Sequence, residues 1–136
     1  MSDLVRDAMV PDPRVLEGEA TAQEAGEALA RPEVRAVFVS EGGLFVGVVT
    51  RKTLVREVVA AGRDPRTTPL REIVEPPNHT IEFDLPLDEG FAFLEEHDLE
   101  RVPVVEAGRL VGVLSRSVLQ RRLAEDDPPG EPSELD

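Results

Sequence analysis

The chain has no cysteine, no tryptophan and no tyrosine, and aromatic residues make up only 4% of it. Without cysteine there is neither a disulfide framework nor thiol chemistry. Two histidines, His79 and His97, are too few for a metal cluster without carboxylate help, and each reads as an exposed residue in a loop or at a helix end. No stretch approaches the roughly 20 apolar residues of a membrane span. The opening residues, MSDLVRDAMV, lack the basic and apolar regions of a signal peptide, so a cytoplasmic location and no membrane partner are expected. There is no GxSxG elbow, phosphate loop or HExxH pair. In a chain so rich in carboxylates a nearby pair of them means little, and an enzyme is not expected. Bases are scarce too. Against 28 acids stand 15 Lys and Arg, for a net charge of −13. Residues 124–136 hold six acids and no base, yet the remaining body is still acidic, with 22 acids against 15 bases. Such a surface does not neutralise phosphates, which excludes a nucleic acid polymer as the expected partner. The acidity serves solubility.

What is present is a repeat. Hydrophobic residues make up 40% of 136, enough for one core or for two small halves packed together. The stretch Gly47 to Leu54, GVVTRKTL, returns 65 residues later as Gly112 to Leu119, GVLSRSVL. Each copy reads as a buried strand running into a helix, with Thr50 or Ser115 at the junction. A hydroxyl there caps the helix by accepting a hydrogen bond from an early backbone amide. The same place suits an anion. Arg51, Lys52 and Arg116 run against the dipole preference for acids at a helix start, which fits either a nearby anion or solvated side chains. Arg35 and Arg101, ahead of the core strands, either point into a cleft or pair with surface acids, and Gly47 and Gly112 read as sites of close strand-to-helix packing.

Taken in order, Leu4 to Val10 forms a short helix with Ser2 as a possible cap, ended by Pro11 and Pro13. Val15-Leu16 is a brief strand. Thr21 and Glu24 make a capping-box pattern before a helix with Ala25, Ala28 and Leu29 on one face. Ala36 to Ser40 and Leu44 to Val49 form a hairpin around Glu41-Gly42-Gly43. A helix follows from Arg51 to Ala61, with Leu54, Val55, Val58 and Val59 as its apolar stripe and Gly62 as its stop. After a polar connector the pattern recurs: Leu70 to Val74, Thr80-Ile81, a helix with Leu87, Phe91 and Leu94 on one face, a hairpin turning at Ala107-Gly108, and a closing helix from Arg116 to Ala124. The interval drifts from 65 to 66 and back when Arg35-Ala36-Val37-Phe38-Val39 is matched to Arg101-Val102-Pro103-Val104-Val105. One copy of about 60 residues is marginal alone, so two copies sharing a core are expected, with clefts between them.

The repeated order helix, strand, helix, strand, strand, helix resembles a tandem pair of CBS domains, the Bateman module. The strand Arg101-Val102-Pro103-Val104-Val105 resembles the family's R-x-P-V-V, and GVVT and GVLS resemble its closing strand and helix entry. The resemblance covers residues 2–124. It implies an α+β fold of two β-α-β-β-α repeats packed with pseudo-two-fold symmetry, each with a short N-terminal helix. Repeat 1 spans residues 2–62, a connector 63–68, repeat 2 residues 69–124, and residues 125–136 form an acidic tail expected to be disordered.

The resemblance also implies a regulatory module that binds an adenosine-type ligand (AMP, ADP, ATP or S-adenosylmethionine) between the repeats and signals to a partner. The implied ligand-binding set is Thr50, Arg51, Thr53, Thr80, Ser115 and Arg116, with Ala36, Val37, Val102 and Pro103 as apolar walls; no metal and no other cofactor is expected. In the family's nucleotide binders an Asp three residues after the Thr/Ser holds the ribose. Here Thr53 and Val118 replace it, which removes a bidentate, charge-assisted contact at both places. The alternative is a ligand-independent interaction module, a homodimer or a subunit of a larger complex, using the stripes Leu54, Val58 and Leu119, Leu123.

Overall fold

The computed structural model describes residues 3–118 and residue 121. The proposed cap Ser2, the positions Leu119 and Leu123, most of the expected closing helix and residues 125–136 lie outside the described residues. The fold is mixed α+β with two small sheets. After a 3-10 turn at Val5–Asp7 come β1 (Val10–Pro11), β2 (Val15–Glu17), α1 (Ala22–Leu29), the hairpin β3 (Val37–Glu41) and β4 (Leu44–Val49), and α2 (Arg51–Leu54). The second copy has a 3-10 turn at Leu70–Glu72, then β5 (Ile81–Glu82), α3 (Leu87–Glu96), β6 (Arg101–Glu106) and β7 (Arg109–Ser115), with residues 116–118 helical. In each half the brief strand pairs parallel with the first hairpin strand, β2 with β3 and β5 with β6.

Helix α1 starts where the capping pattern places it, with Thr21 Oγ1 accepting from Glu24 N at 3.2 Å. Its first free amides are taken by the connector: Ala22 N donates to the Thr68 carbonyl at 2.8 Å and Gln23 N to that of Pro65 at 3.0 Å. At the matching place in the second copy, Leu87 N donates to the Asp3 carbonyl at 2.9 Å. Helix α2 passes into a π-helical stretch at Val55–Val59, which rotates the expected stripe. Val58 is buried, while Val55 and Val59 are 57% and 73% exposed. Gly62, with φ +73°, ends the run as expected.

The interval between the copies is 65 residues throughout, and the expected drift to 66 does not occur. Val37, Phe38 and Val39 face Val49, Val48 and Gly47, and Val102, Pro103 and Val104 face Leu114, Val113 and Gly112. Arg101 is therefore the counterpart of Ala36, and Arg35 of Glu100. Both hairpins shift register at the same place, after Val39 and after Val104.

Each copy lends its opening segment to the other. Val5 and Ala8 are buried in a core with Ile81, Leu87, Leu94, Val102, Val104, Leu114 and Val118. Leu70 and Ile73 are buried in the opposite core with Ala22, Ala25, Leu29, Val37, Val39, Val49 and Val58. The backbone follows the side chains. Strand β1 joins the second sheet beside β7, with Val10 opposite Val113 and Pro11 opposite Gly112. In the first half Glu75 bridges Val48 through two hydrogen bonds of 2.9 Å. Gly47 and Gly112 permit this crossing rather than packing against their own helices. A Cβ on Gly47 would lie 2.1 Å from the Glu75 carbonyl oxygen, and one on Gly112 2.9 Å from that of Val10. Neither half has a closed core without the other, which is how two copies of marginal size become one cooperative unit.

Candidate functional site

The reciprocal crossing leaves two clefts, one for each copy, related by the same 65-residue interval. The larger has a volume of about 620 Å3 and is bounded by Val10, Pro13, Arg14, residues 32–36, Phe38, Arg101, Val113, Ser115 and Ser117. The smaller, about 260 Å3, is bounded by Ala36, Phe38, Val48, residues 77–79, Leu99, residues 101–103 and Val113. Pro13, Arg14, Val34 and Ala36 in the first correspond to Asn78, His79, Leu99 and Arg101 in the second. The sheets supply the walls because strand ends and loops converge there; the chemistry is set by what the loops carry.

The larger cleft is cationic in an acidic protein. Arg14, Arg35 and Arg101 all border it, against one carboxylate, Glu33. None of the three arginines has an ion-pair partner among the described residues. Ser115 and Ser117 add hydroxyls, with their oxygens 3.0 Å apart, and Ser115 Oγ accepts from Val118 N at 3.4 Å as a loose helix cap. The smaller cleft is mostly apolar. His79 borders it and stacks within a cluster, 4.5 Å from His97 and 5.4 Å from Phe93 between ring centroids. His97 is exposed as expected, but His79 is half-buried.

At the other hydroxyl junction the geometry is closed. Thr50 and Thr53 form a reciprocal box: Thr50 N donates to Thr53 Oγ1 at 3.0 Å and Thr53 N to Thr50 Oγ1 at 3.3 Å. Thr53, fully buried, also donates through its hydroxyl to Glu75 Oε2 at 2.8 Å, and Arg56 meets the same oxygen at 2.5 Å. Thr50 thus acts as a cap, and Thr53 is spent within the protein.

Two arginines of the expected set are structural. Arg51 donates to the carbonyls of Leu29 at 2.6 Å and Arg31 at 2.8 Å, and Arg116 donates to that of Leu94 at 3.2 Å. Each ties the end of a preceding helix, where unpaired carbonyls and the dipole favour a cation. Neither borders a cleft. Of the remaining expected residues, Ala36 borders both clefts, Ser115 the larger, and Val102 and Pro103 the smaller. Val37 is fully buried in the first core and borders neither, because strand alternation turns it away. Thr80 is exposed just before β5 and also borders neither. Arg14, Ser117, Asn78 and His79 were not anticipated. A constant interval of 65 would have flagged Arg14 and His79 as equivalent positions just before the brief strands.

Comparison with known proteins agrees with this architecture. The family model for the CBS domain matches twice, at residues 5–60 and 70–125. The chain belongs to the CBS domain family. The CBS pair is 26% identical over 111 residues to the CBS domain-containing protein YhcV of Bacillus subtilis, covering 82% of this chain and 79% of that protein. It is 32% identical over 79 residues to hypoxic response protein 1 of Mycobacterium tuberculosis, covering 58% of this chain and 55% of that one. Among solved structures, CBSX2 in complex with AMP shares its fold with a TM-score of 0.72 at 23% identity, over 90% of this chain and 96% of that one. No described helix of this CBS pair is long and apolar enough to cross a membrane.

A third depression lies on the helical side, about 460 Å3 in volume, between α1 and the α2–π run. Ala22, Gly26, Ala30, Leu54, Val58 and Val59 make its surface largely apolar.

Proposed function

We propose that this CBS pair is a regulatory module, not a catalyst, that binds one class of small anionic ligand, an adenine nucleotide, in the cleft beside Ser115 and passes its occupancy to a partner protein. The observation that carries this is the convergence of Arg14, Arg35 and Arg101, without ion-pair partners among the described residues, on the two serine hydroxyls. In a chain of net charge −13, such a focus of positive potential favours a phosphate and gives it charge-assisted hydrogen bonds. Ala36, Phe38 and Val113 offer apolar surface for a planar base. The AMP complex of CBSX2 supports the ligand class. S-adenosylmethionine, with its sulfonium, fits a triple-arginine cleft less well than AMP, ADP or ATP. No carboxylate stands at Val118 to hold the ribose, so phosphate contacts carry the affinity.

Purified protein tests this simply. With neither Trp nor Tyr, its near-ultraviolet absorbance is very weak and a co-purifying purine dominates the spectrum. Thermal shifts should rank AMP, ADP and ATP above adenosine and S-adenosylmethionine. Equal or larger shifts with the two ligands lacking phosphate, or none with any nucleotide at millimolar concentration, overturn the reading.

The helical face supports a second function beside this one, homodimerisation. Val55 and Val59 stand exposed next to the apolar depression between α1 and α2. Light scattering that finds a monomer at high concentration removes it.

A further inference from the structure

We infer that Glu75 is an internal anion that fills the hydroxyl corner of one cleft, so that the protein takes a single anionic ligand, at Ser115. The inference rests on the proposed reading of the arginine-lined cleft and adds the residue that makes the two clefts unequal.

The symmetry of the fold puts the difference in view. In the first half the corner holds Thr53, Arg56 and Glu75. The 65-residue interval assigns Val118, Arg121 and Val10 to the same corner of the second half. The carboxylate of Glu75 accepts from Thr53 Oγ1 at 2.8 Å and from Arg56 at 2.5 Å. These are a hydroxyl donor and a guanidinium, two groups that a bound nucleotide would otherwise recruit. A carboxylate already holds both, and its own charge repels a second anion close by. The volumes agree with this division. The cleft on the Glu75 side measures about 260 Å3 and its lining stops short of Thr50, whereas the Ser115 cleft measures about 620 Å3 and reaches the hydroxyls. At the second corner Val10 brings no charge, Val118 no donor, and Arg121 has no ion-pair partner among the described residues. Glu75 is held in position by the backbone, through its two hydrogen bonds to Val48, so the occupant does not depend on a flexible segment.

Exchanging the residues tests this, with AMP as the probe in calorimetric titrations. The wild type should bind one AMP per chain. Glu75→Val frees Thr53 and Arg56 and should add a second binding event. Thr53 keeps its bonds within the Thr50 box, so its buried hydroxyl is not left without a partner. Val10→Glu, at an exposed position, should weaken the wild-type event by roughly tenfold or more by setting a carboxylate in the cleft of the three arginines, where it competes with the phosphate for them. Two AMP per wild-type chain overturn the inference and leave the ligand reading standing. A wild type that binds none sinks the ligand reading, and Glu75→Val then decides the inference alone: gained AMP binding supports it, none overturns it. If Glu75→Val does not fold, unchanged affinity in Val10→Glu overturns it.

Discussion

Replacing Gly47 by alanine tests the crossing of the two opening segments, on which both clefts depend. The added Cβ would stand 2.1 Å from the carbonyl oxygen of Glu75, 2.9 Å from its carbonyl carbon and 2.8 Å from Val74 Cγ2. A backbone carbonyl cannot swing aside as a side chain can, so the segment must retreat by well over ~1 Å to reach ordinary contact distance. That retreat breaks the two 2.9 Å hydrogen bonds between Glu75 and Val48. At about 1 kcal/mol each, with 1–2 kcal/mol of strain for a non-glycine residue at φ +155°, the loss comes to about 3–4 kcal/mol. Gly42→Ala is the control. It also has positive φ, +60°, but nothing lies within 4 Å of its Cβ, so about 1 kcal/mol is expected. Urea unfolding followed by far-ultraviolet circular dichroism reads both, since the chain has no tryptophan to report fluorescence. The Gly47→Ala midpoint should fall by about 2 M. A loss no greater than that of Gly42→Ala refutes the account of the crossing.

Three further outcomes follow from the packing and the hydrogen bonds. Leu70→Ala empties a fully buried site in the first core and should cost about 3 kcal/mol, with hydrogen exchange quickening in α1 and β3 rather than in α3 and β6; the reverse pattern contradicts the exchange of segments. Arg51→Ala removes two hydrogen bonds to helix-end carbonyls and should lower stability by about 1–2 kcal/mol in urea titrations while leaving AMP affinity unchanged. Val59→Lys alters a residue that is 73% exposed, so it should leave the unfolding midpoint within error yet shift the light-scattering mass from dimer to monomer.

The repeat made the fold legible. Hairpins, the capped start of α1 and the apolar faces at Leu29 and Leu94 lie where periodicity and turn chemistry put them, because those signals are local. What local signals do not carry is the partner of each opening turn. Val5 and Leu70 have the same pattern whether they pack on their own repeat or the other, so the exchange was invisible. The alignment of Arg35 with Arg101 followed shared letters rather than strand register, and the structure moves it by one residue. The candidate site was legible at its hydroxyls and, among its cations, at Arg35 and Arg101, whose place ahead of the core strands leaves a cleft or a surface ion pair open; Arg14 was not legible. Thr50 and Ser115 look alike in sequence; Glu75, 22 residues beyond Thr53, closes one corner and Val10 leaves the other open. The basic residues next to the hydroxyls, Arg51 and Arg116, turned out to tie helix ends. The cleft draws instead on Arg14, Arg35 and Arg101 from three separate loops and strand ends, a grouping that only the tertiary fold creates.

The central claim is that an anionic nucleotide sits among those arginines. Amide chemical-shift mapping by nuclear magnetic resonance, titrating AMP into the labelled protein, tests it most directly. The account predicts saturable shifts concentrated at Arg14, Arg35, Arg101, Ser115 and Ser117, weakened by added salt, with Thr50 and Thr53 little changed. Shifts centred on Thr50, Thr53 and His79, or no saturable shift at all, would contradict it.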